Sequence, residues 1–256
     1  MKVTILGCGP SAGVPAIGDY WGSCDRNNPK NRRRRSSILV EENGATLLVD
    51  ASPDLRQQLL DARVGRLDAI LFTHAHADHT HGIDEVRPVN RAMDRAIPIY
   101  GTRPTIEEIQ KRFDYIFQTP NPDAGPVFYK PSLMPNIIDG PFAVAGIAVE
   151  PFLQNHGFSA SLGLRFGPVA YTTDAVGLDD SAFRVLSGVE VWIVDCYRLT
   201  PHPTHSHLAQ TLDWIKRVKP RRAILTHMDS DLDYATLCRE LPSGIEPAYD
   251  GLVIDI

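Results

Sequence analysis

The 256-residue sequence holds only four cysteines, Cys8, Cys24, Cys196 and Cys238, spread far apart. No C-x-x-C pair occurs, nor the dense framework that staples small secreted domains. Reduced thiols, each serving as a small buried apolar residue, and a cytoplasmic location are the expectation. Long apolar runs are also missing. None approaches the ~20 residues that span a bilayer, so a membrane partner is not expected. The N-terminal MKVTILGCGP enters a strand-like segment directly and lacks the apolar stretch and cleavage site of a signal peptide. Excess positive charge is absent too. The 26 Lys and Arg against 31 Asp and Glu leave a net charge of −5, which argues against nucleic acid as a partner. What is present is a 43% hydrophobic composition, enough to bury a core and to exclude a disordered chain.

Short β-branched or apolar runs recur, bounded by Gly, Asn, Asp and Pro. They include Val3–Leu6, Ser37–Val40, Thr46–Val49, Ala69–Phe72 and Ile97–Tyr100, then Ile147–Phe152, Leu162–Phe166, Val169–Thr172, Val191–Val194, Ala223–Leu225 and Leu252–Ile254. Helical spacing of apolar residues marks Pro53–Arg63, Asp180–Leu186, Leu208–Val218 and Leu232–Leu241. Strands outnumber helices and the helices fall in both halves, which predicts two packed sheets with helices outside. No repeat or low-complexity linker appears, and residues 1–256 are read as a single domain. The proline-rich stretch from Pro120 to Pro141 predicts an ordered loop or lid, since prolines exclude a regular helix there. The basic run Arg32 to Arg35 is ordinarily a solvated face. Because it leads into a strand, alternation splits it between two faces, and some arginines could point at an anionic substrate.

The segment Thr73-His74-Ala75-His76-Ala77-Asp78-His79 carries the chemistry. It follows the apolar run Ala69 to Phe72, so its ligands project from a rigid strand end into a loop. Histidine is the commonest neutral metal ligand, and a neighbouring carboxylate compensates charge. In a loop, His74 and His76 can turn toward one ion while Asp78 and His79 reach a second. A closed structural zinc stops at four ligands. This chain offers more, each beside an apolar strand: His156 after Val149–Leu153, Asp174 after Val169–Thr173, and His227 after Ala223–Thr226.

The whole pattern resembles the metallo-β-lactamase superfamily of hydrolases, whose His-x-His-x-Asp-His signature stands here without a substitution. The resemblance runs from Gly7-Cys8-Gly9 through Leu48-Val49-Asp50 and Thr173-Asp174 to Thr226-His227. It implies an α/β fold, a four-layer αβ/βα sandwich of two mixed β-sheets flanked by helices, and two divalent metal ions. By position, His74, His76 and His156 would hold the first, Asp78, His79 and His227 the second, and Asp174 would bridge them. Two such ions about 3.5–4 Å apart can share one hydroxide and clamp the attacking and leaving oxygens. The mixed His and Asp set accepts zinc, manganese or iron.

Within the superfamily the chain looks most like the phosphoribosyl 1,2-cyclic phosphate phosphodiesterases and their relatives. Gly13-Val14-Pro15, the Asn28-Pro-Lys-Asn-Arg-Arg stretch, Asp50 to Arg56, His81-Gly82-Ile83-Asp84 with Arg87-Pro88, and His202-Pro203-Thr204-His205 carry that likeness. It is shared with tRNA 3′-processing endonucleases, which have a late histidine matching His205. The likeness places Asp78 and His205 among the catalytic residues. His205 would face the phosphate and protonate the leaving oxygen, work suited to a side chain titrating near neutrality. His202 and His81 have second-rank or structural roles on this reading, and His207 caps a helix or lies exposed. One departure is the lone Cys24 where relatives carry a cysteine cluster for an accessory zinc. Gly7-x-Gly9-x-x-Ala12 also matches a loose dinucleotide fingerprint, but Pro15 and Gly18 prevent a helix from opening there.

The expected function is therefore a dinuclear phosphodiesterase. Its partner would be a small cyclic phosphate or nucleotide-like phosphoester, and the chain could form a homodimer as relatives do. The competing readings are a lactonase, thioesterase or lactamase, a tRNA 3′-processing nuclease, and a non-catalytic nucleotide-binding protein.

Overall fold

The computed structural model describes residues 1–118 and 130–256. Numbered in chain order, the first sheet uses β1 (Lys2–Gly7), β2 (Ser37–Glu42), β3 (Ala45–Val49), β4 (Ala69–Leu71), β5 (Ile97–Gly101), β6 (Leu133–Ile137) and β14 (Val253–Asp255), in the order β14-β1-β2-β3-β4-β5-β6. The second uses β7 (Phe142–Val144), β8 (Ile147–His156), β9 (Ser159–Phe166), β10 (Val169–Thr172), β11 (Val191–Asp195), β12 (Arg222–Thr226) and β13 (Ile245–Pro247), in the order β13-β12-β11-β10-β9-β8-β7. Each sheet is mixed: β3 to β6 run parallel and β10 to β13 run parallel, while the flanking pairs are antiparallel.

Alternation along the strands explains the layers. Ile5, Val40, Leu47, Val49 and Leu71 point into a core shared with Leu164, Tyr171, Ile193 and Leu225 of the second sheet. Their neighbours Leu6, Leu39, Leu48 and Ile70 face the other way. They pack against α1 (Leu55–Asp61), α3 (Arg87–Met93) and α4 (Arg103–Arg112). On the second sheet α6 (Asp180–Leu186) buries Ala182 and Leu186, and α7 (Leu208–Val218) buries Trp214 and Ile215. The result is the αβ/βα sandwich of two mixed seven-stranded sheets.

Part of the proline-rich stretch departs from the expected loop. Leu133–Ile137 is β6, paired in parallel with β5 at the open edge of its sheet. An edge strand tolerates Pro135 because one side of its backbone has no ladder partner. Pro120, Pro122 and Pro126 lie outside the described residues. The signature segment departs as well, since Ala77–Thr80 forms one helical turn, α2, rather than an open loop. Three cysteines are buried, as expected of small apolar residues, but Cys238 is exposed. Among the described residues no helix is long and apolar enough to cross a membrane.

The arginine run is split, and its inward member serves the fold. Arg33 is 2% exposed, and its guanidinium donates to the backbone carbonyls of Asp229 at 2.9 Å and Leu232 at 2.5 Å. Arg34 and Arg35 pair with Asp61 and Asp54, and Arg32 lies over the Trp21 ring.

Candidate metal centre

Parallel strands gather their C-terminal ends along one edge, the place where α/β sheets present ligands. His74 follows β4, Asp174 follows β10, His227 follows β12, and His156 ends β8. Asp174 and His227 turn out of their strands with φ of 55° and 58°, left-handed conformations that cost of order 1–3 kcal/mol each. Those turns bring side chains from both sheets to one point.

Three compact groups result, two built around Asp174 and a third of Asp195, His205 and His227 that shares His227 with the second. His74, His76, His156 and Asp174 form the first, and Asp78, His79, His227 and Asp174 the second, with the ligand atoms of each group within 4.8 Å of one another. Asp174 belongs to both, one oxygen per group. Its Oδ1 lies 3.9 Å from His74 Nε2 and 3.7 Å from His156 Nε2. Its Oδ2 lies 3.1 Å from His79 Nε2 and 3.5 Å from His227 Nε2. Asp78 Oδ2 stands 3.3 Å from His79 Nε2, and His76 Nδ1 stands 3.3 Å from His156 Nε2. All seven residues singled out from the sequence thus converge.

The residues fit divalent cations. Nε2 of His74, His79 and His227 is buried with no hydrogen-bond partner. Leaving such atoms unpaired costs about 1–3 kcal/mol each, so three of them around one carboxylate suit a cation better than a closed core. The opposite ring nitrogens of His74, His79 and His156 are held, as is usual for metal-binding imidazoles, whereas Nδ1 of His227 has no hydrogen-bond partner. His79 Nδ1 meets Asp50 Oδ2 at 2.7 Å, His74 Nδ1 meets Thr73 Oγ1 at 3.0 Å, and His156 Nδ1 meets the Thr204 carbonyl at 2.8 Å.

Charge is divided unevenly among the rings. Burial, helped by the charge of His79, holds His74 well below the ordinary imidazole value. Burial also opposes charge on His79 and His227, but the carboxylates prevail. Asp174, Asp78 and Asp50 hold His79 well above its ordinary value, and Asp174, Asp78 and Asp195 raise His227 to about 9. In return Asp78 and Asp174 stay ionised despite burial, far below the usual carboxylate range, beside His79 and His227.

Two carboxylates in the centre escaped the sequence reading as positioning residues. Asp50, just past β3 at φ 64°, accepts from the Thr73 N–H at 2.8 Å and the Thr73 hydroxyl at 2.8 Å as well as facing His79. Asp195 ends β11 and accepts from the Ser206 N–H at 2.9 Å and the Asp174 N–H at 3.2 Å. It also faces His227 Nδ1 at 3.6 Å and His205 Nδ1 at 3.9 Å. The signal was an aspartate closing an apolar strand, the same signal that marked Asp174.

His205 stands beside both groups built around Asp174. Its ring stacks on His227 at 4.7 Å and on Tyr197 at 4.8 Å, and its Nδ1 lies 3.7 Å from Asp174 Oδ1. His202 sits behind it on the Tyr197 ring, at 4.8 Å. His81 lies apart, edge-on to Phe113, and His207 occupies the N-cap position of α7 without a side-chain capping bond. The capping bond expected for His207 is not made, and imidazole is not among the short oxygen-bearing side chains that favour this position. The groups of metal-ligating side chains found among the described residues contain no cysteine, in keeping with the lone Cys24.

A carboxylate shared by two imidazole cages, at the strand-end edge of an αβ/βα sandwich, defines a metallo-β-lactamase-fold hydrolase. The chain belongs to that superfamily: residues 45–228 match the β-lactamase superfamily domain. It is similar over 100% of its length, and 97% of the other chain, to a crystal structure of a diphosphatase from the PhnP family, with 33% identity and a TM-score of 0.91. Zinc-bound PqqB of Methylobacterium extorquens shares the fold at a TM-score of 0.75 and 18% identity, each chain covered in full. An octanoyltransferase of Porphyromonas gingivalis is 32% identical over 259 residues, covering 98% of this chain and 51% of its own length. A ribonuclease Z of Bradyrhizobium is 35% identical over 105 residues, 40% of this chain and 30% of its own. The chain spans about half, or less, of the length of these curated relatives.

Proposed function

We propose that the chain is a dinuclear phosphodiesterase acting on a small cyclic phosphate or nucleotide-like phosphoester, with zinc or manganese in the two cages. The observation that carries this reading is the placement of Asp174, whose two oxygens address two separate sets of imidazoles at 3.1–3.9 Å. The diphosphatase similar over the whole chain supports phosphorus chemistry, and the net charge of −5 favours a small substrate over a long RNA. His74, His76 and His156 would hold one ion, Asp78, His79 and His227 the other, with Asp174 between. Two ions there would supply Lewis acidity and water ionised near neutral pH.

The protein's own residues do the rest. Asp50 and the Thr204 carbonyl fix the ring orientations of His79 and His156, so their Nε2 atoms converge with no rearrangement. His205 has its Nδ1 turned inward to Asp174 and Asp195, which leaves its Nε2 edge to meet substrate. There it would donate a proton to the departing alkoxide, with Asp195 keeping the ring aligned. Asp78, held ionised and more exposed than Asp174, completes the catalytic set. The test is hydrolysis of bis(p-nitrophenyl) phosphate by chelator-stripped protein to which zinc or manganese is restored. Activity that returns with metal is expected; hydrolysis of lactones or thioesters alone would overturn the reading.

A further inference from the structure

Beside the first cage lies a cavity of about 500 Å3 that the proposed reaction leaves unused. His74 and His76 form one side of it, so a group attached to a phosphate on that cage would reach the cavity directly. The facing walls are apolar: Leu153 from β8, Ala160 from β9 and Pro104 in the first turn of α4. Leu153 is 61% exposed, although its neighbours Phe152 and Gln154 are buried. A large aliphatic side chain left uncovered beside polar ligands is the composition of a ligand pocket, and the volume falls in the usual range of about 300–1,000 Å3. Thr102, Thr105 and Ser159 add hydroxyls to the lining.

The charge of the lining decides what fits. Arg112 is the charged side chain in the wall apart from the cage histidines. Its Nε pairs with Glu108 at 2.9 Å, and its Nη1 donates to the Ala75 carbonyl. The guanidinium is thus paired at Nε and engaged at Nη1, and it pins the backbone between His74 and His76. A second phosphate would have to compete with Glu108 and the Ala75 carbonyl for the one guanidinium here, whereas a flat ring would cover Leu153, Ala160 and Pro104.

We propose that this cavity receives the uncharged organic group of the phosphoester, an aryl or nucleobase-sized ring, while the phosphate rests at the cages. The assignment builds on the phosphodiesterase reading, and its test separates the two. Metal-loaded protein is titrated by calorimetry with phenyl phosphate and with methyl phosphate. In parallel, phenyl p-nitrophenyl phosphate and methyl p-nitrophenyl phosphate are assayed for hydrolysis. Phenyl phosphate is expected to bind about tenfold more tightly, the factor supplied by covering roughly 60 Å2 of apolar surface. Leu153→Asp, and separately Ala160→Trp to fill the space, should bring the two affinities together. Equal affinities in the unaltered protein overturn the pocket, as does a preference for pyrophosphate that Arg112→Gln abolishes. A phenyl preference that the variants erase, without hydrolysis of either diester, overturns the phosphodiesterase reading and upholds the pocket. Equal hydrolysis of both diesters with equal binding does the reverse.

Discussion

Asp50 and His79 face each other across 2.7 Å, and both side chains are wholly buried. The same Asp50 oxygen receives the Thr73 hydroxyl, whose own oxygen meets His74 Nδ1 at 3.0 Å. One carboxylate outside both cages therefore orients a histidine in each. Asp50→Asn keeps the side-chain shape, and asparagine accepts the φ of 64°. It removes the charge behind two ligands, so metal affinity is expected to fall about 10- to 100-fold, read by competition with a chromogenic chelator.

Asp174→Asn tests the bridge. With one carboxylate oxygen replaced by a donor amide, the two groups lose their common ligand. Metal content measured by plasma emission spectrometry should drop from about two ions per chain to one or fewer. Two ions retained in the variant would contradict the shared position.

Removal of metal should leave a protein with a distinctive pH response. His227 in the fold titrates at about 9, above the ordinary value of about 6.5. A pKa raised by folding adds stability that is full below 6.5 and is lost as pH rises through 9. Chelator-treated protein should therefore lose up to about 3 kcal/mol between pH 6.5 and 9 in urea titrations. Metal-loaded protein should show the opposite slope, because a cation must displace that proton.

His205→Ala is expected to lower kcat about 10²- to 10⁴-fold with metal content unchanged. The ring lies 3.7–3.9 Å from Asp174 and Asp195 and stacks on His227, and it belongs to neither group built around Asp174, so both keep their ligands in the variant. Tyr197→Phe should act far less, since the stacked ring is retained. Unchanged turnover on bis(p-nitrophenyl) phosphate would remove His205 from the reaction.

Arg33→Met leaves the Asp229 and Leu232 carbonyls without their buried donor. A loss of at least about 2 kcal/mol in urea denaturation is expected. A loss near zero would return the arginine run to the role of a solvated face.

Much of the centre was legible because ligands at strand ends announce themselves locally: an apolar run closes and a histidine or aspartate follows. That pattern locates His74, His156, Asp174 and His227. Asp50 and Asp195 follow the same rule, yet each reads singly as an ordinary turn residue. Only the spatial neighbours His79 and His205 give them work. Arg33 was opaque because its partners, the carbonyls of Asp229 and Leu232, are about 200 positions away. Proline likewise concealed β6, whose place at a sheet edge decides what the backbone tolerates.

His74, His76, Asp78 and His79 hang from the first sheet, whereas His156, Asp174 and His227 hang from the second. The packed layer between them, from Val49 and Leu71 across to Leu164 and Ile193, is in effect the ruler that sets how far the first-sheet ligands of each group stand from its second-sheet ligands. A methylene gained or lost deep in that layer would retune the spacing without touching any ligand.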